Sequence, residues 1–201
     1  MTDSPGHNED EKGRLRRMLL QKRRTLGRDA RIEKSRKILQ FLQQLPQFTT
    51  ARMVHCYVSI ERENEVDTSS VIEWLSSVRK EVFVPYIERG EMVSSRYRNG
   101  QRFIHGKQGF PVPEMPAVSG EDRFDIVLVP LVGFDCQGFR LGYGKGHYDR
   151  FFRHLARKGR FPERIGLAFQ LQCAPRIPSD PWDERLDLVV TENGVLDCKK
   201  T

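Results

Sequence analysis

Phe124-Asp-Ile-Val-Leu-Val-Pro-Leu131 is the most continuously apolar stretch of the chain, and the glycine-rich run Gly133-Phe-Asp-Cys-Gln-Gly-Phe-Arg140-Leu-Gly-Tyr-Gly-Lys-Gly-His-Tyr-Asp149 follows two residues later. A strand with one solvated face alternates apolar and polar residues; one that is apolar nearly throughout must be covered on both faces. That is the mark of a parallel-sheet strand. The glycine-rich run then leads into a helix predicted over 148–157.

Working outward, strands are predicted at 53–60 (MVHCYVSI) and 82–86 (VFVPY), with a weaker one at 92–97. A helix is predicted at 71–78 and two short strands at 165–169 and 186–190. Toward the N-terminus, Leu15, Met18, Leu19 and Leu26 recur at helical spacing, as do Ile32, Ile38, Leu39, Leu42 and Leu45. These predict two amphipathic helices, split near Gly27 and stopped by Pro46, with their basic residues facing outward. Residues 1–8 are small and polar and are expected to be a disordered lead-in, leaving 9–201 as one domain. Strands alternating with helices define an α/β layered fold: a largely parallel central sheet flanked by helices, with a basic N-terminal helical pair. Ligands of such sheets bind beyond the carboxyl ends of the strands, where the 133–149 run lies.

The composition excludes several classes. With 201 residues, 38% hydrophobic and 30% charged, the chain is neither fibrous nor wholly disordered. No apolar run approaches the roughly 20 residues that span a bilayer, so no membrane partner is expected. Cys56, Cys136, Cys173 and Cys198 form no CxxC pair, against a zinc ribbon or a thioredoxin-type motif. No secretory signal pattern is present, and a cytoplasmic location is expected. Residues 14–28 have the Arg- and Leu-rich composition of a mitochondrial presequence, but acidic residues at 3, 9, 10 and 11 precede them. The net charge of +7 is concentrated: residues 1–50 hold 12 basic and 6 acidic side chains. Such a segment attracts phosphates, on a nucleotide, a nucleic acid or a membrane surface, unless it is only a solvated helical face.

Chemistry concentrates between Arg140 and Asp149. Gly142, Gly144 and Gly146 let backbone N–H groups approach a ligand, and the next helix N-terminus adds to an anion-binding concavity. Arg140 and Lys145 bring positive charge, and Asp149 brings a hard oxygen suited to Mg²⁺. A metal-bound polyphosphate fits this set. A Walker A loop is excluded because Gly146 follows Lys145, and a dinucleotide fingerprint because His147 stands where its third glycine belongs. A plain flexible connector explains the glycines but not the interleaved Arg, Lys and Asp.

The segment LVPLVGFDCQGFRLGYGKGHYDRFF resembles the signature of the formyltetrahydrofolate cyclo-ligases, also called methenyltetrahydrofolate synthetases: Phe-Asp, two residues, Gly, one residue, Arg-Leu-Gly, Gly-x-Gly, two aromatics and Asp. It departs at His147, where that family usually has an aromatic ring. The resemblance implies further roles. Lys12 and Arg16 match a Lys-x-x-x-Arg helix that contacts ATP, together with Arg140, Gly142, Gly144, Lys145, Gly146, His147 and Tyr148. Glu65-Val-Asp-Thr68 matches an acidic pattern that places Glu65 and Val58 at the folate, with Glu63 as the competing register. Phe110, in a Phe-Pro-Val-Pro-Glu segment, would lie near the pterin, and Tyr143 and His147 would face both ligands. Asp149 and Asp187 would hold Mg²⁺, with Asp183 as the rival of Asp187.

The implied activity is conversion of 5-formyltetrahydrofolate to 5,10-methenyltetrahydrofolate with ATP and Mg²⁺, with Arg140 and Lys145 as the catalytic cations. The implied partners are ATP and reduced folates, polyglutamylated forms included. Two other classes stay open at this stage: a nucleic-acid-binding module using residues 12–37, for which no familiar binding motif is present, and a small-molecule kinase on the same scaffold.

Overall fold

A computed structural model describes residues 5–107, 109–120 and 122–199. In chain order it comprises α1 (Pro5–Arg24), α2 (Arg28–Gln44), α3 (Pro46–Thr50), β1 (Met53–Cys56), α4 (Ser69–Ser77), β2 (Glu81–Glu88), β3 (Glu91–Arg96), β4 (Phe103–His105), β5 (Pro111–Pro113) and β6 (Val118–Ser119). There follow β7 (Ile126–Pro130), β8 (Gly133–Phe134), β9 (Arg140–Leu141), α5 (His147–Arg157), β10 (Glu163–Leu167), β11 (Leu188–Thr191) and β12 (Gly194–Asp197).

Among the described residues, eight strands form one mixed sheet in the order β12-β11-β10-β7-β1-β2-β3-β6. The middle strands, β11 through β2, are parallel, while β12, β3 and β6 join antiparallel at the edges. The α/β expectation is met. The 124–131 run becomes β7, the sheet's middle. Its side chains alternate between two cores: Ile126 and Leu128 pack with α2, α3 and α4, while Val127 and Val129 pack with α5. No position of β7 is left for a polar face, which is why the sequence reads as an unbroken apolar run.

The helices depart from simple amphipathicity. Met18 and Ile32, placed on apolar stripes by their spacing, are 45% and 46% exposed. Conversely, Lys12, Arg23 and Arg31 are buried, so the basic residues do not all face outward. Spacing finds the helix but not its rotation, because buried cations with fixed acceptors replace apolar side chains on the inner face. Helix α1 also begins at Pro5, inside the expected lead-in; proline at a first helical turn lacks only an N–H that would be unpartnered there. The remainder of that lead-in, residues 1–4, lies outside the described residues. Helix α2 stops before Pro46, whose ring drives Leu45 to extended backbone at φ −74°, ψ 120°.

The predicted strand at 53–60 ends early, at Cys56. Thr68 Oγ1 donates to the Tyr57 carbonyl at 2.8 Å and accepts from the Ser59 N–H at 3.0 Å, drawing the backbone out of the ladder and toward the carboxyl-end surface. The strands β4, β5, β6, β8 and β9 are two or three residues long and carry no usable periodicity.

His55, on β1, is fully buried among Phe124, Tyr148 and Phe151, with ring centroids 5.4, 6.5 and 5.0 Å away, and neither ring nitrogen has a partner among the described residues. Burial pushes its pKa down to about 3. A folded-state pKa below the unfolded value means that the unfolded chain takes up the proton first, so stability is lost as pH falls below about 6.5. One such group contributes a slope of about 1.4 kcal/mol per pH unit. Denaturant titrations between pH 6.5 and 4.5 should give a His55→Leu variant a flatter profile than the wild type by about this slope. Parallel profiles would show that His55 does not set acid stability.

Candidate active site

Two crossovers leave neighbouring strands in opposite directions. From β1 the chain passes through α4 to β2; from β7 it passes through α5, on the other face, to β10. The loops at the carboxyl ends of β1 and β7 are thereby splayed apart, which opens a crevice at this switch point. The crevice is a cleft of about 560 Å³.

The loop after β7 forms one wall. β8 and β9 pair as a two-stranded ribbon that turns the chain back, and the glycine run emerges from β9. Gly144 sits at φ +89°, a conformation that L side chains rarely adopt, with the Arg16 guanidinium packed beside it. Arg16 Nε donates to the Gly142 carbonyl at 2.8 Å, joining α1 to the glycine wall. At the start of α5, Arg150 donates to His147 Nδ1 at 3.1 Å, so the ring proton sits on Nε2, a buried atom with no partner among the described residues. Burial first, then Arg150 and Lys145, lower the His147 pKa and keep its imidazole neutral. Phe110 meets His147 edge-on at 6.3 Å.

Cations and carboxylates are matched along the cleft. The Arg140 side chain is nearly enclosed, 6% exposed, and donates to Asp149 at 2.6 Å and to the Glu184 carbonyl. Burial lowers the Arg140 pKa, and Asp149 opposes that shift. Lys12 Nζ lies 2.6 Å from both Asp180 and Asp183; burial lowers its pKa, and the two carboxylates more than offset this.

The loop after β1 forms the facing wall. Asn64, at φ 50°, donates to the Leu26 carbonyl at 2.9 Å and ties this loop to the end of α1. Glu65 is buried. Its Oε1 accepts from the Tyr143 hydroxyl at 2.7 Å and its Oε2 from the Ile60 N–H at 2.6 Å. Burial raises its pKa while these donors oppose the shift. The rival Glu63 also borders the cleft, but its carboxylate pairs with Arg24 at 3.2 Å.

Lys12, Arg16, Val58, Glu65, Phe110, Arg140, Gly142, Tyr143, Gly144, Lys145, Gly146, His147, Tyr148 and Asp149, expected from sequence, all line this cleft. Asp187 does not. Its Oδ2 accepts the Arg164 N–H at 2.8 Å, at the start of β10, and its Oδ1 pairs with Lys199 at 3.4 Å; the aspartates that line the cleft from this segment are Asp180 and Asp183, the second of them the sequence's rival to Asp187. Sequence reasoning missed Arg23, taken for a surface cation, and Trp182, an exposed indole on the cleft rim. Trp182 directly precedes Asp183, so choosing that carboxylate would have drawn attention to it.

Fold and site together define an α/β protein with a charge-lined ligand cleft at the carboxyl ends of a parallel sheet. Residues 8–192 match the model of the 5-formyltetrahydrofolate cyclo-ligase family. The chain belongs to that family. It is 29% identical to the 5-formyltetrahydrofolate cyclo-ligase of Saccharomyces cerevisiae, covering 90% of this chain and 95% of that protein. With the Escherichia coli K12 protein of the same name it shares 28%, covering 89% and 98%. The solved structure of Aquifex aeolicus 5,10-methenyltetrahydrofolate synthetase superposes with a TM-score of 0.80 at 31% identity, over 94% of this chain and 93% of that one. No described helix is long and apolar enough to cross a membrane.

Proposed function

We propose that this protein is an ATP- and Mg²⁺-dependent 5-formyltetrahydrofolate cyclo-ligase that forms 5,10-methenyltetrahydrofolate. The observation that carries this reading is a single cleft lined both by Lys12, Arg16, Arg140 and Lys145 and by the buried Glu65 with Val58 and Phe110. One group of residues suits a polyphosphate; the other suits a flat heterocycle that donates N–H groups.

The chemistry needs both. A formamide oxygen is a poor leaving group. Transfer of the ATP γ-phosphoryl to it releases ADP and turns the oxygen into a phosphate ester; N10 then attacks the formyl carbon, the C–O bond breaks, inorganic phosphate leaves, and N10 gives up its proton. No covalent enzyme intermediate is required. The protein's part is to hold donor and acceptor in line and to neutralise charge on the transferring phosphoryl group. Arg140 and Lys145 serve that charge, Lys12 and Arg16 hold the remaining phosphates, and Gly142, Gly144, Gly146 and Tyr148 shape the cradle. Tyr143 and His147, the latter with its Nε2–H, sit between the two ligands.

The Mg²⁺ fit rests on donor chemistry. Asp149 and Asp183 are hard oxygen donors in the cleft, and Mg²⁺ is commonly bound by one or two carboxylates plus substrate phosphates. These two residues would hold it, and it would neutralise phosphate charge. Both carboxylates are paired with Arg140 or Lys12, cations that would turn to the phosphates if the carboxylates held Mg²⁺. Exposed Arg14 and Arg17 on α1 suit a polyglutamate tail.

The test is direct: purified protein, Mg²⁺-ATP and 5-formyltetrahydrofolate, with methenyl absorbance and ADP followed together. One ADP per methenyl product is expected. ATP consumption without a methenyl product would point instead to a kinase, and the absence of both would reject the reading.

A further inference from the structure

Arg23 lies outside the lining of the cleft and is 1% exposed, yet all of its guanidinium nitrogens are engaged. Nε donates to the Glu63 carbonyl at 2.7 Å, Nη1 to the Leu131 carbonyl at 3.1 Å and Nη2 to the Tyr143 hydroxyl at 2.6 Å. It therefore fastens α1 to the loop after β1, to the end of β7 and to the glycine wall.

A guanidinium only donates hydrogen bonds. The Tyr143 oxygen must accept from Arg23, and its single proton is left for Glu65 Oε1, 2.7 Å away. With Ile60 N–H on Oε2, each carboxylate oxygen has a donor from the protein side, and the lone pairs that remain belong to a residue lining the cleft. We infer that Arg23 is a positioning residue for the folate half of the site: by orienting the Tyr143 hydroxyl it keeps Glu65 a fixed hydrogen-bond acceptor toward an N–H-donating heterocycle edge, such as the amino-pyrimidinone of a pterin. This rests on the cyclo-ligase reading and extends it. Were Tyr143 free to rotate, it would offer Glu65 a donor only part of the time, and one oxygen of the buried carboxyl would be left without its partner.

The placement on α1 adds a consequence. Lys12, Arg16 and Arg23 are spaced four and seven residues apart, which puts them on one helix face. One rigid helix thus carries the contacts proposed for the phosphates and, two to three turns later, the support of the folate-side acceptor.

The test is calorimetric titration of the whole protein with 5-formyltetrahydrofolate and, separately, with a non-hydrolysable ATP analogue. The variants are Arg23→Gln, Arg23→Lys, Tyr143→Phe and the Arg23→Gln/Tyr143→Phe double. Folate affinity should fall about 10- to 100-fold in Arg23→Gln and in Tyr143→Phe, the range set by a hydrogen bond to a charged group. In Arg23→Gln nucleotide affinity should stay within about twofold; for folate, the double variant should lose little beyond the worse single one, and Arg23→Lys should recover part of the loss. A merely structural Arg23 would weaken both ligands alike, and that result would overturn the inference, as would additive losses or unchanged folate affinity. Should Arg23→Gln fail to fold, Arg23→Lys and Tyr143→Phe decide. A wild type that binds nucleotide but not folate would reject the cyclo-ligase reading itself, and the role of Arg23 with it; a wild type that binds both while the variants match it would reject only the latter.

Discussion

Arg140→Ala should lower turnover of 5-formyltetrahydrofolate by about 1,000-fold or more, the range removed with a cation that stabilises a transferring phosphoryl group. The side chain is almost wholly enclosed, with its guanidinium 5.6 Å above the Phe152 ring and hydrogen bonds to Asp149 and to the Glu184 carbonyl. Removing it has a second cost. Asp149 would lose its 2.6 Å partner in a part-buried position, so stability should drop by about 2–4 kcal/mol. The two effects separate by measurement: turnover at a temperature where circular dichroism shows the variant folded, alongside denaturant midpoints. Arg140→Lys keeps the charge but not the fork that reaches both acceptors, and it should recover part of the stability and little of the rate. Activity within tenfold of wild type for a folded Arg140→Ala would remove this residue from the catalytic set.

Gly138→Ala should be strongly damaging for a change of one methyl group, through structure rather than chemistry. Gly138 closes the β8–β9 turn at φ +82°, and a Cβ there would lie 2.6 Å from the Leu186 carbonyl oxygen and 2.8 Å from the Cys198 Cβ. Neither neighbour is the tip of a flexible side chain. A left-handed alanine costs about 1–2 kcal/mol and overpacking about 1–3 kcal/mol more. Thermal unfolding should therefore shift down by roughly 5–15 °C, given about 2–4 °C per kcal/mol for a chain of this size. The same change should weaken the site, because Arg140 is held by the ribbon that Gly138 closes. An unchanged melting temperature would mean that the turn relaxes more readily than its contacts allow.

Much of this site was legible in the chain. The glycines, Arg140, Lys145 and Asp149 lie within ten consecutive residues, so their proximity follows from local chain geometry once a strand and a helix flank them. Lys12, Glu65 and Phe110 were reached only through the family resemblance, since no spacing rule connects positions so far apart. Arg23 was missed for a reason of energetics. A cation in a basic helix is taken as solvated unless acceptors are known to await it, and the acceptors at Glu63, Leu131 and Tyr143 come from three distant segments. Asp187 and Asp183, four residues apart in an irregular segment, could not be ranked by pattern.

Read alone, the amino-acid sequence determined the layered α/β class, the two-sided burial of β7 and the glycine-rich, charge-bearing character of the loop that follows it. These properties depend on near neighbours: apolar periodicity, backbone freedom and charge within a few residues. The tertiary structure decided which face of each N-terminal helix turns inward, which aspartate reaches the cleft, and which way the Tyr143 proton points. Those are outcomes of desolvation and donor–acceptor matching between segments that meet only after folding, so no local pattern encodes them.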